Sequence, residues 1–101
     1  DTQAPAISQA WATPTSLYST ETTTIHVSAS DNVGVTAANA SWSGPDSGSS
    51  ALTRVGSEWQ LSYTFPASAP SGTLTFTITT TDAAGNVSAA KTVPVTGIFF
   101  G

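Results

Sequence analysis

Apolar and polar residues alternate with a period of two through most of the chain, and no segment carries the 3.6-residue period of a helix. The first alternating segment, Ala6 to Ala12, follows Pro5 and stops before Thr13-Pro14-Thr15. It reads as an edge strand that turns Ile7 inward, with Trp11 in the same phase. Between Thr23 and Ser30, Ile25, Val27 and Ala29 share one face while Thr24, His26 and Ser28 share the other, the mark of a half-buried strand. Val35 to Trp42 places Ala38, Ala40 and Trp42 together. The strongest alternation is Glu58 to Phe65, with Trp59, Leu61, Tyr63 and Phe65 on one side and Glu58, Gln60, Ser62 and Thr64 on the other. Thr73 to Thr81 repeats the pattern with Leu74, Phe76 and Ile78 inside. Ala51 to Val55 is a shorter strand, and Asn86 to Thr96 the last, with Val87, Val93 and Val95 inward and Pro94 restricting it to an edge or an irregular stretch.

The breaks between these runs have their own chemistry. Asp31-Asn32-Val33-Gly34 and Asp82-Ala83-Ala84-Gly85 are type I turn sequences, in which the carboxylate accepts a backbone hydrogen bond and Gly takes the left-handed exit. Pro66 to Gly72, with two prolines, is a rigid crossover. Ser43 to Ser50 reads as a flexible polar loop without a packed role, on composition. Seven strands and no helix predict an all-β chain, an immunoglobulin-like antiparallel β-sandwich.

Composition narrows the partners. At 101 residues the chain is one domain, 1–101, expected to be a module from a longer protein. Ser and Thr make up a third of it, while charged residues are 8%, against roughly 25% in an average globular protein. The surface is therefore hydroxylated rather than charged. Arg54 and Lys91 are the only Arg and Lys in a chain of net charge -4, which disfavours nucleic acid and anionic membranes as partners. The absence of Cys and Met removes thiol catalysis, disulfides and soft-metal sites, and with low Lys and abundant Thr it suits an extracellular, secreted or cell-surface setting. No apolar run approaches membrane-spanning length.

Ala4-Pro5-Ala6-Ile7-Ser8, Ser28 to Val35 with its Asp-turn, the later Trp, Ser71-Gly72-Thr73 and Thr80 to Ser88 with the second Asp-turn together resemble bacterial Ig-like repeat domains, modules of adhesins and of multidomain secreted enzymes. The resemblance spans almost the whole chain. It implies a noncatalytic spacer or adhesive unit whose partners are neighbouring domains of the same polypeptide, a glycan or a host-surface protein. The alternative it implies is a carbohydrate-binding accessory domain of a secreted hydrolase. In such a sandwich the chain start and both Asp-turns lie at one pole, so Asp1, Asp31 and Asp82 are candidates for a calcium site, each turn aspartate otherwise capping its own turn. No other cofactor is expected.

Candidate chemistry is sparse. Trp42 and Trp59 are in phase with buried faces, which leaves Trp11 and Tyr18 as candidates for stacking on a sugar ring. His26, the only histidine, lies on an outward face and lacks the pocket a Ser-His-Asp arrangement needs. Glu21, Asp46 and Glu58 share no motif that would pair carboxylates for glycoside hydrolysis. Lys91 with Asn39 or Asn86 is a candidate intramolecular isopeptide pair. The sequons at Asn39 and Asn86 read as coincidence in a Ser-rich chain, and Ile98-Phe99-Phe100 as a contact for a neighbouring domain.

Overall fold

The computed structural model describes residues 4–30 and 34–99. The alternating segments become strands whose apolar faces meet between two sheets. Among the described residues these are β1 (Ala6–Thr13), β2 (Ser16–Tyr18), β3 (Thr22–Ser30), β4 (Val35–Ser43), β5 (Gly48–Ala51), β6 (Thr53–Val55), β7 (Glu58–Thr64), β8 (Gly72–Asp82) and β9 (Lys91–Ile98). One sheet has the order β1-β3-β7-β6 and the other β2-β9-β8-β4-β5. The fold is an all-β sandwich, with no helix among the described residues and hence none that could cross a membrane.

The core follows the alternation. Ile25 and Val27 of β3, Trp59 and Tyr63 of β7, Phe65, and Leu74, Phe76 and Ile78 of β8 are all buried, with Ala38 and Ala40 of β4 leaving room for the bulkier side chains. Tyr63 from one sheet meets Phe76 and Trp42 from the other edge-on, at centroid distances of 5.1 Å and 5.3 Å. The sheets approach closely at Gly97 of β9, where a Cβ would lie 2.4 Å from the ring of the fully buried Phe65.

Several expectations need correction. Among the described residues nine strands replace seven, because two short ones are added: β2, which follows Thr13-Pro14 and joins the other sheet beside β9 in parallel, and β5, which pairs with β4. An irregularity at Ser8 lets two residues of β1 oppose one of β3, between the Ile7–Ala29 and Gln9–Ser28 pairs. This reverses the phase: Ala10 and Ala12 turn to the core and Trp11 turns out, against strict alternation from Ile7. The last strand begins at Lys91, not Asn86, and Val87 is 54% exposed rather than packed. Pro94 lies in β9 opposite Thr75 of β8, outside the stretch that β2 covers, so its missing donor faces an open edge.

The segment from Ser43 to Ser50 is tied to the sandwich by pairing and hydrogen bonds rather than left as a free loop, although most of its residues are exposed. Gly48 onward forms β5 against β4, and the Asp46 carboxylate accepts hydrogen bonds from the Tyr63 hydroxyl at 2.8 Å and from Trp42 Nε1 at 3.2 Å. Polar composition is here what the two aromatic donors require. Burial first, then the bond to Asp46 and its negative charge, push the Tyr63 phenol well above its usual range.

The second Asp-turn closes as its residues predict. Gly85 N–H donates to Asp82 O at 3.1 Å and Asp82 N–H to Asn86 O at 3.0 Å, with Gly85 at φ +91°, a type I turn followed by a left-handed residue.

Candidate functional site

The richest polar constellation among the described residues lies on the outer face of the four-stranded sheet. Register places Trp11 of β1 opposite His26 of β3, and His26 opposite Gln60 of β7. Glu58, two residues before Gln60, shares that face. Trp11 and His26 stack with ring centroids 5.0 Å apart and planes within 6°. His26 Nδ1 meets Glu58 Oε1 at 2.7 Å, and Nε2 meets the Thr13 hydroxyl at 3.0 Å. Gln60 also donates to Glu58 Oε1. The bond from His26, then that from Gln60, hold the Glu58 carboxyl below its usual range, outweighing a smaller opposing effect of burial.

With the ring neutral, Nδ1–H donates to Glu58 and Nε2 accepts from Thr13. Hydroxyl, imidazole and carboxylate in this order have the connectivity of an activated nucleophile. Thr13 and Glu58, however, stand on the same sheet face as the ring, and hydroxyl, imidazole and carboxylate bond one another along that face. The physical effect is to fix the imidazole in one orientation and, through the stack, to hold the indole.

Next to the indole, at the side of the sandwich where β1 faces the start of β9, an open groove of about 420 Å³ is lined by Ser8, Gln9, Ala10, Trp11 and Lys91. Trp11 is thus shared by the two features, against His26 and against the groove. The displaced residue Ser8, whose hydroxyl donates to Ser28 O at 3.1 Å, puts two consecutive polar residues on the same groove.

The sequence-predicted residues fall in different places. Tyr18 is 51% exposed on β2, opposite Ile98, in the other sheet from Trp11, so the two aromatics do not form one platform. Asp1 and Asp31 lie outside the described residues. Asp82 is almost wholly buried at the pole where β8 ends; its Oδ1 accepts from the backbone N–H of Ala84 (3.0 Å) and Asn86 (2.9 Å), and Oδ2 from Asn86 Nδ2 (3.0 Å). Burial opposes its ionisation, but the Asn86 side-chain bond and the backbone bonds from Asn86, Ala84 and Gly85 together outweigh it and lower the pKa. No group of three potential metal ligands occurs among the described residues.

Glu21 accepts from Tyr18 N–H at 2.7 Å, Asp46 serves Tyr63 and Trp42, and Glu58 serves His26, so the structure brings no two of these carboxylates together. Lys91 is exposed on the groove, Asn39 is exposed on β4 opposite Thr79, and the Asn86 side chain is bound to Asp82. The buried Lys–Asn pair that an isopeptide would require is therefore not formed.

Residue-by-residue reading missed the His26–Glu58 pair, 32 residues apart in sequence, and the place of Lys91. Polar Ser8-Gln9 inside an alternating strand was the visible signal of the phase change. Comparison with protein-family models, curated proteins and solved structures finds no match.

Proposed function

We propose that the chain is a noncatalytic Ig-like module that acts as a load-bearing spacer or adhesive unit in a bacterial secreted or cell-surface multidomain protein, in contact with neighbouring domains of the same polypeptide. The strand order supports the Ig-like reading: β1, β3, β7 and β6 follow the order A-B-E-D, and β9, β8 and β4 the order G-F-C. The observation that carries the mechanical reading is the path of the chain. β1 pairs with the end of β3 at one pole, whereas β9 runs parallel to β2 and ends beside Tyr18 at the other, in a body 50 Å long and 22 × 17 Å across.

Tension applied to the two ends pulls β2 and β9 in opposite directions along their common axis. Their pairs, Ser16–Thr96, Leu17–Gly97 and Tyr18–Ile98, together with the Thr96 N–H bond to Thr15 O at 2.8 Å, are then loaded in shear and must break together. Leu17, fully buried, locks the short strand to the core. A hydroxylated surface poor in charge suits such a unit outside the cell.

Single-molecule pulling tests this. Stretched end to end, the domain should rupture at a clearly higher force than when pulled between Pro70→Cys and the C-terminus, which unzips β9 from β8 bond by bond. Equal forces in the two directions would remove the load-bearing reading. A second reading, a carbohydrate-directing accessory domain, is favoured by one observation, the groove beside Trp11.

A further inference from the structure

We infer that the groove lined by Ser8, Gln9, Ala10, Trp11 and Lys91 is a binding site for a pyranose unit of an oligosaccharide, with Trp11 as its stacking wall and His26 as the residue that positions that wall. The inference gives the second reading above a place and a ligand geometry, and it rests on that reading alone; the load-bearing role stands or falls separately.

The groove, at about 420 Å³, lies within the roughly 300–1,000 Å³ of small-molecule sites. Its lining residues supply an indole, an amide, a hydroxyl and an ammonium. A pyranose matches that set: an apolar C–H face for the indole, and ring substituents that both donate and accept for Gln9, Ser8 and Lys91. Other flat ligands match less well. A nucleotide would bring phosphate to a chain of net charge -4 with a single ammonium at the site. A polyproline segment prefers grooves walled by several aromatics, and this groove has one.

The stacking wall is also preorganised. An indole on an edge strand can adopt several rotamers, and ordering it on binding costs affinity. Here His26 covers one face of Trp11 and is itself held from both ring nitrogens, by Glu58 and by Thr13. The two-for-one step at Ser8 is what turns the indole outward beside Gln9 while Ala10 and Ala12 fill the core.

The test is a titration of the intact chain, followed by tryptophan fluorescence and by the indole N–H signals in NMR, with β-1,4-linked hexamers of glucose, xylose and N-acetylglucosamine and with oligogalacturonate. At least one should bind saturably and shift the Trp11 signal but not those of Trp42 and Trp59. Trp11→Ala should weaken binding about tenfold or more, and Gln9→Ala and Lys91→Ala about threefold each, with melting temperatures unchanged because none of the three is a core residue. His26→Ala should weaken binding about threefold and also broaden the Trp11 indole signal in the free protein, a readout that loss of a mere surface contact would not give. Saturable binding that Trp11→Ala leaves intact would overturn this site while preserving a sugar ligand. Failure of all four sugars to saturate at about 10 mM would overturn both.

Discussion

Gly97→Ala isolates the close approach of β9 to the Phe65 ring. Gly97 is buried in β9, opposite Leu17 and Gly72 in the two neighbouring strands, and its backbone is ordinary strand, so Ala meets no conformational objection there. By itself the substitution should stabilise the fold by about 0.4–1 kcal/mol, through the lower entropy of the unfolded chain. Against that, the new methyl would sit 2.4 Å from Cε1 and Cζ of Phe65, about an ångström inside the 3.4 Å at which ordinary contact begins. The ring has no solvent to retreat into, since Phe65 is fully buried. Overpacking of this kind costs about 1–3 kcal/mol. The steric effect wins, leaving a net loss of about 1–2 kcal/mol, or a melting temperature lower by about 5–15 °C for a domain this size. Urea unfolding followed by tryptophan fluorescence should show a lower midpoint with an unchanged slope. Phe65→Leu in the same chain should recover part of the loss, with a coupling of about 0.5 kcal/mol or more. A Gly97→Ala protein as stable as the parent, or strict additivity with Phe65→Leu, would refute the contact.

Asp46→Ala leaves the hydroxyl of Tyr63 and Nε1 of Trp42 without their acceptor, so a loss of about 1–3 kcal/mol is expected, with a changed near-ultraviolet dichroism signal; Asp46→Asn, which keeps an acceptor oxygen, should lose less. Glu58 titrates lower in the folded state than in the unfolded one, so its contribution is present above the unfolded value of roughly 4.3 and is lost as pH falls through the folded value. The melting temperatures of the parent and Glu58→Gln should therefore converge between about pH 5 and pH 3, and a gap that widens on acidification would contradict the assignment. Asp82 already accepts three hydrogen bonds from its own turn, so millimolar calcium should leave the melting temperature where EDTA leaves it. A calcium-dependent rise would instead point to a site completed by Asp1 and Asp31.

The strands with regular alternation were legible in the sequence. β7 and β8 carry one apolar and one hydroxylated face each, and Trp59, Tyr63, Leu74, Phe76 and Ile78 are buried as their spacing predicts. What escaped depends on pairing between distant segments. Two residues of β1 oppose one of β3 only once both strands are aligned, so β1 alone shows the consecutive polar Ser8-Gln9 but not the outward turn of Trp11 that goes with it. Asp46 sits among Ser, Gly and Pro and looks like linker until Tyr63, 17 residues on, delivers its hydroxyl. Val87 continues an apolar alternation, yet the chain there is still leaving the Asp82 turn, joined to β8 by a single bridge to Thr81 and by the bonds between Ser88 and Thr80. Of the candidate site, His26 and Trp11 were each singled out separately; their stacking is a property of register, not of either segment.

The extra residue at Ser8 has a consequence for how the module can change over time. Removing it would restore a regular ladder in which Ile7 still faces Ala29 and Trp11 still faces His26, so the core should accept the deletion while the groove loses one of its polar walls. Insertions and deletions are usually confined to loops because a slip within a strand reverses every side chain beyond it. Here a strand offers a position where length can vary at little expense to the fold, which makes recognition and architecture separately heritable along the same eight residues.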